Sequence, residues 1–113
     1  MTSPDERIAR VLAAAGLPRG AARLLALVLH RGPIQQGAAA VALGSSEGTV
    51  SRDVDWLERE GLVRRTLLPR ETAGNRARLL SLGPGAADRI VKLVEPLEHA
   101  AGELRAALKE PSS

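Results

Sequence analysis

Cysteine is absent from this 113-residue chain, which excludes disulfides, thiolate metal sites and cysteine-based redox sensing. Aromatic residues are almost absent too, with one Trp, no Phe and no Tyr. A core must therefore be assembled from Leu, Val, Ile and Ala, which suits packed helices better than a sandwich of sheets. No apolar run approaches the roughly 18–20 residues that span a bilayer, so no membrane partner is expected. The first residues lack the basic and apolar regions of a secretory signal, and a cytoplasmic setting is expected. His30 and His99 stand alone, with no carboxylate cluster at ligand spacing. They read as surface or helix-end residues, and no metal or cofactor is implied. No nucleophile–base pair and no phosphate-cradling glycine loop is visible, so the chain does not read as an enzyme.

What is present is a chain long enough for one domain with a single modest core. The formal net charge is +3. Its distribution says more than its size. Between Arg64 and Arg78 lie Arg64, Arg65, Arg70, Arg76 and Arg78, against the single acid Glu71. That cluster reads either as a solvated surface or as a phosphate-binding footprint around a hairpin.

The stretch from Leu43 to Arg65 organises the rest. Ser46 is placed to cap a helix by accepting from the backbone N–H of Thr49, and Gly61 supplies the stop. Val50, Val54 and Leu57 recur at helical spacing and form a stripe to be buried. Gly48, Thr49, Arg52, Asp55, Trp56 and Arg59 lie roughly opposite. A half-buried helix showing Thr and Arg near its start, preceded by a turn and another helix, has the build of a recognition helix. Asp53 and Asp55 cannot favour phosphates and are expected to orient arginines such as Arg52 or Arg59. Trp56 falls toward the polar side. It could pack under the following hairpin, stack near sugar-phosphate or join a protein interface.

Upstream, Ser3-Pro4-Asp5-Glu6 is a helix start, and the apolar stripe of Ile8, Val11, Leu12 and Ala15 ends at Gly16. A second helix from Leu17 to about His30 is apolar on nearly every side and is expected at the centre. Ile34 reads as a one- or two-residue extended segment. Gln35–Leu43 reads as a short, Ala-rich third helix, with Gly44 permitting the left-handed turn that follows. Downstream, Leu62–Leu68 and Arg76–Leu82 alternate as strands, joined by Pro69–Asn75, and make a wing.

From Ala87 the apolar series Ala87, Ile90, Val94, Leu97, Ala101, Leu104, Leu108 repeats at threes and fours, a heptad seam. Pro96 lies within it, so a kink or break is expected near Glu95. The seam could fold back onto the first helix; pairing with a second chain is the favoured reading. Glu95, Glu98 and Glu103 flank it as solvated or interchain charges. The expected organisation is mainly α with a small two- to three-stranded β-wing. Residues 1–83 form the DNA-binding unit, with its N-terminal helix at 4–15; 84–109 form a dimerisation helix, and 110–113 a disordered tail.

These residues resemble a winged helix-turn-helix regulator of the MarR type. The resemblance is carried by Leu43-Gly44, Thr49-Val50-Ser51-Arg52, Val54-Asp55, Leu57-Glu58, Glu60 and Gly61-Leu62-Val63-Arg64-Arg65. Ser81-Leu82-Gly83-Pro84 is similar to the family's strand-to-helix exit, and Gly16-Leu17-Pro18-Arg19 to the GbsR-like branch. The resemblance implies a homodimer on double-stranded DNA, with half-sites about one helical turn apart and repression as the default. Under that reading Ser46, Gly48, Thr49, Ser51 and Arg52 meet the duplex from the helix start. Arg59, Arg70, Arg76 and Arg78 add contacts, Arg70 in the minor groove. Arg52 is the candidate for a bidentate guanine contact. A winged-helix module that binds another protein is the alternative. A small-molecule effector is possible, but nothing in the composition offers it a cage.

Overall fold

Helix starts and stops fall where the capping residues place them. The computed structural model describes residues 3–69 and 77–109. In chain order these form α1 (Pro4–Ala14), α2 (Arg19–Arg31), β1 (Ile34–Gln35), α3 (Gln36–Leu43), α4 (Glu47–Arg59), β2 (Val63–Leu67), β3 (Arg78–Leu82) and α5 (Ala86–Lys109). The Ser3 hydroxyl accepts from the Glu6 amide at 3.2 Å, with Pro4 in the first helical position, as the N-cap pattern requires.

Helix α2 is central. Leu24, Leu25 and Ala26 are completely enclosed, and Arg23 alone breaks the buried run from Ala21 to Val28. Such all-round burial follows from its nearly uniform apolar surface. Polar ties fix its two ends. Asp5 of α1 lies 2.6 Å from His30 Nδ1 and 2.9 Å from Arg31 Nη2, joining the start of one helix to the end of the next. His30 is thus a helix-end residue. Arg23 Nη2 donates to the Leu43 carbonyl at 3.0 Å and holds the last turn of α3.

The extended segment at Ile34 becomes a strand of its own. β1 pairs antiparallel with β3 (Ile34 opposite Leu80), and β3 pairs with β2 from Val63 opposite Leu82 to Leu67 opposite Arg78. The order is β1-β3-β2, three strands rather than the bare hairpin. Leu80 on the middle strand is fully buried against the helices. The loop between β2 and β3, with Arg70 and Arg76, lies outside the described residues, as does the 110–113 tail.

Where β3 leaves for α5, the backbone runs against the end of α4. A Cβ at Gly83 would collide with the Gly61 carbonyl oxygen, so only glycine fits. The Gly83 amide donates to the Leu62 carbonyl at 3.0 Å, and Arg89 Nη1 donates to the Glu60 carbonyl. One side chain of α5 thereby caps the C-terminal end of α4.

Helix α5 runs unbroken through Pro96, so of the kink or break expected near Glu95 the break does not occur. Pro96 and Lys92, the residue whose carbonyl loses its usual partner, are both exposed. Water can take up that carbonyl, which removes most of the reason for the helix to end. The seam is divided. Ile90 is 9% exposed and belongs, with Ala86, to the core of its own domain, so this seam residue is not free for a partner. Val94 packs against that core and Leu97 is half-buried. Beyond them Leu104 and Leu108 are 60% and 76% exposed. Ala87 is exposed at the root and Ala101 is intermediate. The described chain is elongated, 74 × 30 × 20 Å, in keeping with a helix about 36 Å long that packs only at its start.

Candidate nucleic-acid interface

The turn that feeds α4 is built by backbone chemistry. Gly44 closes α3 at φ 63°, a left-handed conformation open to glycine, and the Ser45 amide returns to the Ala40 carbonyl at 3.0 Å. Two residues later the Ser46 hydroxyl accepts from the Thr49 amide at 3.1 Å and donates to the Thr49 hydroxyl at 2.9 Å. Ser46 therefore serves first as the cap, and its contribution to a ligand is to hold the amide end of α4 in place.

On the inner side Val50, Val54 and Leu57 are fully buried against α2, as their spacing requires. On the outer side Gly48, Thr49, Arg52 and Arg59 are exposed. Among the described residues Arg52 and Arg59 take part in no ion pair. The partners assigned to them from the sequence are engaged elsewhere. Asp55 accepts from Arg65 Nη2 at 2.7 Å, and the same nitrogen donates to the Ser51 carbonyl at 3.3 Å. Arg65 Nε lies 3.5 Å from Glu58, longer than a good hydrogen bond, and has no other partner. With a side chain only 16% exposed, Arg65 is a clamp between β2 and α4, removed from the arginines available to a phosphate. Its neighbour Arg64 points the other way along the strand and is exposed. Ser51 lies on the flank turned to this clamp.

Asp53 faces α2 instead of Arg52. A Cβ on Gly20 would stand 2.6 Å from its carboxylate, so a small residue at the second position of α2 is what admits the acid. Burial pushes the Asp53 carboxyl above its ordinary value, and the nearby Arg23 charge opposes that rise. The carboxylate stands at the start of α2, which has no side-chain cap and where the helix dipole favours a negative group.

Trp56 sits on the opposite flank, away from the wing. It packs partly buried against the core and lines a cavity of about 380 Å³ with Ala15, Gly16, Leu17, Leu62 and Leu93, rimmed by Glu60, Arg89 and Lys92. Packing under the wing is thereby corrected. The phase of α4 had placed Trp56 off the apolar stripe correctly, but only the position of α5 shows what it meets there.

At the wing, Arg78 is exposed opposite Leu67, and one further hydrogen bond, Leu68 amide to Ala77 carbonyl at 2.8 Å, extends the ladder toward the loop. The described site is therefore an amide-bearing helix end with two unpaired arginines on α4, and Arg64 and Arg78 on the adjacent strands. A surface of this kind meets polyanions by charge and by N–H groups aimed at oxygen. Arg23 and Arg89 are structural arginines that sequence reading did not single out. Arg65, counted from the sequence in the Arg64–Arg78 cluster, is turned instead to Asp55 and the Ser51 carbonyl.

A protein-family model described as MarR family matches residues 15–71. No curated protein matches the chain. Among solved structures, the transcriptional regulator Tm0710 from Thermotoga maritima is 27% identical over 94% of this chain and 73% of that one, with a TM-score of 0.64. A MarR family transcriptional regulator from Silicibacter pomeroyi DSS is 25% identical over 95% of this chain and 69% of that one, with a TM-score of 0.59. The YusO protein from Bacillus subtilis, 17% identical over 91% of this chain and 71% of that one at a TM-score of 0.65, shares the fold.

Proposed function

Because this chain belongs to the MarR family, we propose that it is a sequence-specific, double-stranded DNA-binding transcription regulator that works as a homodimer and represses by occupying promoter DNA. The observation that carries the reading is the outer face of α4, where Arg52 and Arg59 stand exposed without an ion-pair partner in the described residues. The Ser46 cap and the turn at Gly44 set this face beside α3, the arrangement of a helix-turn-helix.

In this reading α4 enters the major groove. Arg52 reads a guanine edge, a contact that discriminates by roughly 1–3 kcal/mol. Gly48 and Thr49 bring the amide end of the helix against a phosphate, where the helix dipole adds its attraction. The Ser51 hydroxyl meets the backbone on the wing side. Arg59 and Arg78 take flanking phosphates. Arg70 and Arg76, by their place in the sequence between the two wing strands, add charge in the adjacent minor groove and on its phosphates. Two copies related by a two-fold axis read a pseudo-palindrome.

Selection of bound fragments from genomic DNA with the purified full chain tests this directly. Enrichment of one short inverted repeat is expected, together with reduced transcription from a promoter that contains it. Absence of any enriched fragment at low salt overturns the proposal. A fixed complex with another protein under those conditions would point to the interaction-module alternative.

A further inference from the structure

A second group of arginines lies away from α4, in the angle between α1, α2 and the last turn of α3. The first two helices run antiparallel, since Asp5 at the start of α1 meets His30 and Arg31 at the end of α2. Beside them is a cavity of about 830 Å³. Small and apolar residues line its interior, with Ala9 and Ala13 from α1, Leu27 from α2 and Ala42 from α3. Toward the α1–α2 turn it is lined by Arg10, Arg19 and Arg23. Its acids, Asp5 and Glu6, lie toward the start of α1, and Asp5 is already engaged by His30 and Arg31.

Arg23 is held at the Leu43 carbonyl, but Arg10 and Arg19 are exposed and take part in no ion pair among the described residues. Arg19 occupies the first position of α2, where the helix dipole repels a cation, so the stability of its own helix does not account for it. The α3 wall is unusual in the other direction. That helix carries no charged side chain, and Ala38, Val41 and Ala42 share one exposed face. Val41 is 83% exposed, more than any other large apolar side chain described. Ala42 carries this bare face to the edge of the cavity.

We propose that this cavity docks an acidic amphipathic helix of another protein. The α2 face from Arg19 to Arg31 is about 18 Å long, the length of roughly three helical turns. Alanines on two walls let an incoming helix lie close, with its apolar stripe over Leu27 and Ala42. Its carboxylates fall at the end marked by Arg10 and Arg19, because Asp5 and Glu6 repel them at the other. Duplex DNA would match the arginines but leave the apolar lining without a partner. No lining residue belongs to the outer face of α4, so the two surfaces can be filled together. A chain seated on DNA then holds a second protein, a property beyond the regulator reading above.

The probe is a labelled synthetic helix of about 14 residues with Leu at helical spacing and Glu on its flanks, titrated with the purified full chain by fluorescence anisotropy. Binding in the micromolar range is expected. Replacing its Glu by Lys, or its Leu by Gln, should each weaken binding roughly tenfold or more. Arg10→Ala with Arg19→Ala should do the same while the unfolding midpoint stays within about 0.5 kcal/mol of the parent, both sites being exposed. No binding of the Leu/Glu helix overturns the proposal. Equal binding of the Gln version reduces the site to bare charge and overturns it too. A saturating DNA fragment should leave the helix bound; displacement assigns the arginines to the duplex and rejects a separate protein site.

Discussion

Helices α4 and α5 carry the same kind of apolar periodicity and are used in opposite ways. Every member of the α4 stripe is fully enclosed by neighbours of its own chain, whereas the α5 stripe is enclosed at Ile90 and bare at Leu104 and Leu108. Periodicity fixes which side of a helix seeks cover. It does not fix where the cover comes from. The flanks differ in the same sense: the two aspartates of α4 are held within the domain, Asp55 by Arg65 and Asp53 against α2, whereas Glu95 and Glu98 of α5 have no ion-pair partner among the described residues.

Truncation is the sharpest way to break this contrast. Leu57→Ala removes a fully buried side chain and is expected to cost about 2–5 kcal/mol of domain stability in denaturant unfolding. Leu108→Ala, at the same spacing on the exposed half of α5, is expected to change protomer stability by less than about 0.5 kcal/mol and to act on association instead. Equal losses in the two variants would mean that α5 is covered within one chain.

Next in size is the outer face of α4. Arg52→Ala is expected to weaken binding to a selected DNA fragment by about 1–3 kcal/mol and to relax preference at one base pair, with the unfolding midpoint unchanged. Arg65→Ala should behave in the reverse way, lowering stability through the lost clamp to Asp55 and the Ser51 carbonyl before it touches specificity. Ser46→Ala removes the cap of α4 and is expected to cost about 1 kcal/mol of stability, read by thermal unfolding.

The smallest effect concerns Asp53. Its folded-state carboxyl holds a proton to higher pH than the same group does in the unfolded chain. At neutral pH the charged form therefore opposes folding slightly. As pH falls toward the ordinary carboxyl value of 3.8, the folded state is protonated first and this opposition is relieved. Asp53→Asn should thus raise stability at neutral pH and flatten the pH dependence between neutral and that value. Greater destabilisation of the variant at neutral pH than at pH 4 would mean that attraction to Arg23 and the α2 dipole outweighs burial.

The elements themselves were legible because their causes are local. Ser3, Ser46, Gly44 and Gly61 act within one turn of chain, and each stands at the helix end or turn for which it was read. The MarR-type winged-helix plan was legible for the same reason, since it follows from the order of those elements. Partner choice was not. Asp55 finds Arg65 ten positions away because β2 returns beside α4, and no spacing rule within the helix points there. Trp56 shares the lining of one cavity with Leu93, which lies far along the chain, and Pro96 leaves α5 unbroken where its side of the helix faces water. Long-range geometry decided each of these, and the sequence pattern recorded only the residues' local phase.

The contact between Arg89 and the Glu60 carbonyl, beside the tight crossing of Gly61 and Gly83, makes α5 a lever fixed to the end of α4. A tilt of about ten degrees at this fulcrum displaces the far end of a helix about 36 Å long by roughly 6 Å. The gearing runs both ways. In reverse, an excursion of that size at the tip corresponds to a rotation of only about ten degrees at the root, beside the end of α4.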